Sequence, residues 1–217
     1  RWNHPEQGPI GPDVFIPVAE ESGLIVGLTD LVLKRACDQL RQWQLIDESF
    51  ADLRIQVNLS GRDVAQAGLT GRISQALLGA GLQAQHLTLE LTENILMERL
   101  ETALPMLEEL RGLGVRLSVD DFGTGYSSLA HLSTLPIDSL KVDRSFVRNL
   151  SAGSKEAMVV RGIVQLGQSL GKDVVAEGIE TASQFDQLRG MGCRLGQGFL
   201  MARPMSAERI TALLVGQ

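Results

Sequence analysis

Cysteine is nearly absent from this chain, and the two present, Cys37 and Cys193, lie far apart. That excludes a disulfide framework, favours a reducing, cytoplasmic setting and leaves both as small buried apolar residues. No apolar run approaches 18 residues and no signal peptide is visible, so no membrane span or membrane contact is expected of these residues; a membrane tether elsewhere in the parent protein stays open. Basic tracts are missing as well: 20 Lys and Arg stand against 26 Asp and Glu, for a net charge of −6. Long duplex nucleic acid is disfavoured as a partner, because that binding depends on cationic side chains neutralising phosphates. A small anionic ligand is not, since divalent cations can sit between an acidic site and a phosphate. Nor does any stretch rich in Pro, Gly or Ser divide the 217 residues, which read as a single domain.

What the chain does have is a rhythm. Hydrophobic residues make up 44%, enough for a substantial core. Six short β-like segments recur at Arg54–Asn58, Leu87–Leu91, Val115–Asp120, Ser139–Val142, Asp173–Glu177 and Arg194–Gly198. Helical periodicity lies between most of them. One helix is predicted over 29–44, with Leu28, Leu31, Val32, Ala36, Leu40 and Trp43 as its apolar face, and another from Val64 to Leu78. Leu100 to Leu113 reads as a third, stopped by Gly112 or Gly114. Ser154 opens a helix to Leu170, Thr181 with Gln184 reads as a capping box, and Ser206 opens a last helix to about Val215. Strand–helix alternation leaves an open doubly wound sheet or a closed barrel of eight units. Asn58, Glu90, Asp120, Lys141, Glu177 and Gln197 occupy or follow successive strand ends, 20 to 36 residues apart. Functional groups spread over many strand ends favour the barrel, and a closed barrel needs two more strands than are visible. The opening Arg1-Trp2-Asn3-His4-Pro5 shows no structured lead-in, so those strands are expected to precede residue 1.

The most informative segment runs from Val119 through Asp120-Asp121-Phe122-Gly123-Thr124-Gly125-Tyr126-Ser127-Ser128 to Leu129. Two adjacent carboxylates follow a strand, then two glycines in a tight loop, with Ser127 placed to cap a short helix. Burying adjacent carboxylates without cations is expensive, and a pair of divalent ions would offset that cost. An Asp-rich turn capping a helix is the plainer alternative. In Leu87-Thr88-Leu89-Glu90-Leu91-Thr92-Glu93, alternation puts Glu90 on the face opposite the leucines, where it can point at a ligand; Glu93 can cap the following helix. Asn58 is either an amide ligand for a hard cation or, with Ser60, a helix cap. Lys141 and Asp143 share a face at a strand exit, as phosphate and water contacts or as a salt bridge. Glu177 ends an apolar strand, Gly178 turns, and Gln197 closes the last strand. The donors are oxygens, with no Cys–His pattern, so Mg²⁺ or Mn²⁺ fits better than structural zinc. His4, His86 and His131 are scattered and read as surface or helix residues.

This series resembles the EAL domain of bacterial cyclic di-GMP phosphodiesterases. The matching stretches are Arg1-Trp2 with His4-Pro5-Glu6, Phe15-Ile16-Pro17 with Ala19-Glu20, Asn58-Leu59-Ser60, Glu90-Leu91-Thr92-Glu93, Asp120 to Leu129, Lys141 to Val147, Ala176-Glu177-Gly178-Ile179-Glu180, and Gln197-Gly198-Phe199 with Arg203-Pro204. The resemblance implies a modified eight-stranded TIM (β/α)8 barrel, here lacking its first two strands, in a single domain 1–217 truncated at its N-terminus. It implies two Mg²⁺ or Mn²⁺ ions and hydrolysis of cyclic di-GMP to linear pGpG. Asn58, Glu90 and Asp120 then look like ligands of one metal, with Asp120 bridging to a second held also by Asp121. Glu177 resembles a carboxylate acting on the second metal or its water, Lys141 the lysine that positions the water, and Asp143 its neighbour. Arg1 and Gln197 resemble substrate contacts, and Glu180 resembles the anchor of loop 122–128, which in the family couples metal binding to dimer formation. A homodimer and fused sensory or regulatory domains are expected by the same likeness.

The departure that matters is the Glu-Ala-Leu glutamate itself, a metal ligand that would fall four residues before Arg1. Without it one metal site is weakened, and the activity is assigned to the parent protein rather than to the fragment itself. Asn94 after Glu93 and Gly61 after Ser60 are smaller departures. The chemistry the resemblance implies is metal-assisted in-line displacement, with Lys141 and Glu177 orienting or deprotonating water, their division of labour open. The rival readings are a non-catalytic receptor for the same dinucleotide and an unrelated barrel protein.

Overall fold

The computed structural model describes residues 2–125 and 129–216. The chain divides into two compact units, Arg1–Leu87 and Thr88–Gln217. In the first, β1 (Trp2–His4) and β2 (Gly8–Ile10) pair antiparallel. This corrects the expectation of an unstructured opening: His4 Nδ1 accepts from the backbone N–H of Glu6 and of Gln7, which closes the turn. Next come α1 (Pro12–Ser22), α2 (Ile25–Gln44), β3 (Ile55–Asn58), α3 (Gly61–Ala65) and α4 (Leu69–Ala80).

Two readings of this unit change. The buried face of α2 is Ile25, Thr29, Leu33, Cys37 and Leu40, while Leu31 and Val32 are exposed, so the helix is rotated from its predicted orientation. A threonine and a cysteine fill core positions, and the Thr29 hydroxyl donates to buried Asp63 at 3.0 Å. The single helix expected over 64–78 is two. Ser60 and Asp63 close a capping box on α3, and the chain turns at Gly68 before α4.

The second unit opens with β4 (Leu87–Thr92), then α5 (Glu93–Glu98), α6 (Leu100–Leu113), β5 (Arg116–Phe122), α7 (Leu129–Thr134), β6 (Ser139–Val142), α8 (Arg144–Arg148), α9 (Lys155–Ser169), β7 (Asp173–Ala176), α10 (Ala182–Gly190), β8 (Leu195–Gly196) and α11 (Ala207–Leu214). The predicted caps hold: Ser154 Oγ accepts from Ala157 N–H, Thr181 and Gln184 form a capping box, and Gly114 ends α6. Ser127, the cap expected for α7, lies outside the described residues.

Each of β4 to β7 pairs in parallel with the next strand in chain order, ending at β8. That order never reverses, so there is no switch point of the doubly wound kind; winding in one direction is the barrel pattern. Leu87, Leu89 and Leu91 are buried on one face of β4, and Thr88 and Glu90 are buried on the other, as in a parallel sheet covered on both sides. The second face carries polar groups on β4, β5 and β6: Thr88 and Glu90, Ser118 and Asp120, Ser139 and Lys141. Ser139 Oγ donates to Ser118 Oγ at 2.9 Å near its middle, and ionisable groups gather toward the C-terminal ends of the strands. His86, just before β4, is buried rather than on the surface.

Candidate metal centre

Parallel strands bring their C-terminal ends to one side, and register decides which side chains meet there. Thr92 lies opposite Asp120, two pairs beyond Glu90 opposite Ser118, so Glu90 and Asp120 share a face. Lys141 pairs with Val175, which puts Glu177, two residues on, at the same mouth. Lys141 Nζ consequently stands 3.0 Å from Glu90 Oε2, 3.1 Å from Asp120 Oδ1 and 2.5 Å from Glu177 Oε1, with its side chain 4% exposed. One ammonium from β6 thus touches carboxylates from β4, β5 and the end of β7.

β5 makes a special provision for its second carboxylate. Its register with β6 shifts between Val119 and Phe122, a bulge that turns consecutive aspartates toward one mouth. Asp121 there has φ +53, the only positive φ outside glycine among the described residues. Left-handed backbone is costly for a side-chain-bearing residue and accumulates at functional sites. Asp121 N–H donates to Asp120 Oδ1 at 3.1 Å. Oxygens of Asp120, Asp121 and Glu177 all lie within 4.8 Å of one another.

The electrostatics follow from that crowding. Burial raises Asp121 to about 6, aided by the charges of Asp120, Asp143 and Glu177, and its protonated carboxyl hydrogen-bonds Asp143. Asp143 is only half-buried, and hydrogen bonds from Ser145, together with the one from Asp121, outweigh that partial burial and hold it below the usual carboxylate range. Burial raises both Glu90 and Glu177 despite the opposing pull of Lys141. Burial would lower Lys141; Glu90, Glu177 and Asp120 outweigh it and push the ammonium well above its ordinary value.

Five carboxylates against one ammonium is an arrangement that wants cations. The donors are all hard oxygens, and Glu90 Oε1 is buried with no hydrogen-bond partner, an acceptor left over for an ion. The cluster therefore fits a divalent metal.

The EAL domain pattern matches residues 1–204. The chain belongs to the EAL domain family. It is 47% identical over 212 residues to the bifunctional diguanylate cyclase/cyclic di-GMP phosphodiesterase MucR of Pseudomonas aeruginosa, covering 98% of this chain and 31% of that protein. To the cyclic di-GMP phosphodiesterase NbdA of the same organism it is 47% identical over 214 residues, 99% of this chain and 27% of that one. The chain thus spans about a third or less of the length of these curated relatives. The solved PaMucR phosphodiesterase in complex with c-di-GMP superposes with a TM-score of 0.92 at 47% identity, over 97% of this chain and 84% of that one. The barrel-type α/β fold expected from the sequence is borne out by the one-way parallel sheet of β4 to β8 and by this superposition.

The other expected site residues of the EAL domain fall as follows. Gln197 Nε2 donates to Glu177 Oε1 at 2.7 Å, so it bears on the carboxylate as well as lining the mouth. Asn58 ends β3 in the first unit, and Arg1 lies outside the described residues. The described part of the loop after β5 has a second acidic contact that the sequence reading did not assign to it. Glu93, buried at the start of α5, accepts at Oε2 from the N–H of Gly123 at 2.8 Å and of Gly125 at 3.3 Å. Glu180 is exposed, and its own N–H donates to Gln184 as part of the cap of α10. Glu93, on the first turn of a helix directly after a strand end, reaches the loop's amides. The part of that loop at 126–128 lies outside the described residues.

Proposed function

We propose that this EAL domain hydrolyses one phosphodiester of cyclic di-GMP to give linear pGpG, with two divalent cations, Mg²⁺ or Mn²⁺. The observation that carries the reading is the convergence of Glu90, Asp120 and Glu177 on Lys141, with Asp121 beside Asp120 and Glu177, at the C-terminal ends of four successive strands. Asn58, Glu90, Asp120 and Asp121 would hold the ions, Asn58 on the family likeness alone. Bound divalent ions would supply positive charge to the phosphoryl oxygens and acidify water.

Protein groups divide the remaining work. Water oxygen bonds to phosphorus, the bond to the 3′ oxygen breaks, and that oxygen leaves with a proton. Lys141 keeps its proton among three carboxylates, so it orients water and phosphate as a donor. Glu177 is then the proton acceptor, its geometry fixed by Gln197 and Lys141. Arg1, Gln197 and Asp143 would contact substrate, by the same likeness. A homodimer and attached sensory or regulatory domains in the parent protein belong to this proposal, and the relatives' greater length supports the latter.

The test is incubation of the parent protein's complete EAL domain with cyclic di-GMP and Mg²⁺ or Mn²⁺, followed by separation of products. Linear pGpG, lost by about a hundredfold or more in Glu90→Ala, Asp120→Ala and Glu177→Ala with the fold retained, supports the reading. Tight binding of the dinucleotide without any product would make the domain a receptor instead.

A further inference from the structure

We infer that α8, a helix of only five residues, is the wedge that sets the spacing between the two carboxylate-bearing turns of the metal cluster, and that Phe146 is a positioning residue for Asp121. The idea rests on the metal reading above, and three contacts carry it. Asp143, the N-cap of α8, is hydrogen-bonded to Asp121. Phe146, one turn on, packs beneath the loop after Asp121: a Cβ at Gly123 would lie 3.0 Å from Phe146 Cε2 and 3.1 Å from Ile163 Cδ1 of α9. On the other side a Cβ at Gly178, next to Glu177, would lie 2.7 Å from Arg144 Cβ and 3.4 Å from its Cα.

Both turns therefore touch α8 through glycines, Gly123 at φ +100 and Gly178 at φ +71, where a side chain would be strained as well as crowded. Backbone against a short helix leaves little slack. Moving α8 must move the left-handed Asp121 on one flank or Glu177 on the other. Groups that orient ligands in this way commonly change metal affinity 10–100-fold when altered.

Phe146→Ala, Phe146→Leu and Gly178→Ala test the wedge in the full chain, with two readouts. In metal-free protein, amide hydrogen exchange should rise in 123–125 for Phe146→Ala and in 177–180 for Gly178→Ala, with the strands unchanged. Mn²⁺ titration followed by electron paramagnetic resonance should show affinity about tenfold weaker in both, and largely restored in Phe146→Leu. Wild-type affinity in Phe146→Ala and Gly178→Ala overturns the inference. If the unaltered protein takes up no Mn²⁺, the metal reading fails, and exchange alone decides the wedge: a rise confined to those turns supports it, and no rise or a global one refutes it. Should Phe146→Ala not fold, Gly178→Ala against Phe146→Leu gives the same decision.

Discussion

Lys141 Nζ and Glu177 Oε1 are 2.5 Å apart, and the same oxygen accepts from Gln197, so one carboxylate oxygen is held by a cation and an amide together. Lys141 in turn is the only ammonium within reach of Glu90, Asp120 and Glu177 among the described residues. Removing it leaves buried negative charge without compensation, which costs about 3–5 kcal/mol when a buried pair is broken. Lys141→Met should lower the metal-free melting temperature by several degrees, and added Mn²⁺ should recover most of the loss. Turnover should still fall about a hundredfold, because a cation that replaces the charge does not replace the donor. Calorimetry with and without Mn²⁺, beside product separation, checks both halves; unchanged turnover would remove Lys141 from the mechanism.

The Gln197 contact makes a narrower claim. Its amide fixes the orientation of Glu177 without carrying charge, so Gln197→Ala should lower kcat about tenfold and shift the acidic limb of the pH–rate profile. Gln197→Glu should be worse than Gln197→Ala, because it sets a second anion against Glu177. Equal rates in the two variants would show that Gln197 only lines the mouth.

Much of this was legible from residue order. Leu87, Leu89 and Leu91 on one face and Glu90 on the other gave β4 and its carboxylate, since a period of two is hard to mistake when both faces are buried. Asp120-Asp121 before two glycines gave the bulge region, and the strand ends gave Lys141 and Glu177. The misses have separate causes. In α2, Leu31 and Val32 counted as core because they are apolar, whereas tertiary packing chose Thr29 and Cys37. Asp121's bond to Asp143 and Glu93's hold on Gly123 join residues 22 and 30 positions apart, and nothing local announces them. Gly123 and Gly125 flanking Thr124 did offer a signal: two amides without side chains, open to an anion.

The crowded carboxylates make stability depend on pH in an unusual direction. Asp121, raised to about 6, with Glu90 and Glu177 raised as well, binds protons in the folded state that the unfolded chain has released. The stability they contribute is complete below the unfolded carboxylate range and is lost as pH rises through about 6. Asp143 is lowered and contributes oppositely at more acidic pH. Metal-free protein should therefore melt lower at pH 7.5 than at pH 5. With saturating Mn²⁺ the order should reverse, because ligand carboxylates must shed their protons and binding strengthens above about pH 6. Thermal melts at both pH values, with chelator and with Mn²⁺, decide it; a chelated protein equally stable at both would mean the carboxylates are better solvated than their burial implies.

Glu93 links loop and site, and its variants separate charge from hydrogen bonding. Glu93→Ala strips the acceptor from the N–H of Gly123 and Gly125, each a cost of about 1–3 kcal/mol if left unmet. A Cβ at Gly125 would stand 2.9 Å from Asn94 Oδ1 and 3.0 Å from Glu93 Oε1, so the loop is seated against this corner of α5 as well as bonded to it. Loss of the carboxylate should free 122–125, raise its amide exchange and weaken Mn²⁺ binding at the adjoining Asp121 about tenfold. Glu93→Gln keeps one oxygen acceptor in the same place and should retain most of the protection. If Gln and Ala variants behaved alike, the negative charge of Glu93 rather than its geometry would be what holds the loop, and raising the salt concentration in the unaltered protein should then loosen 122–125 in the same way.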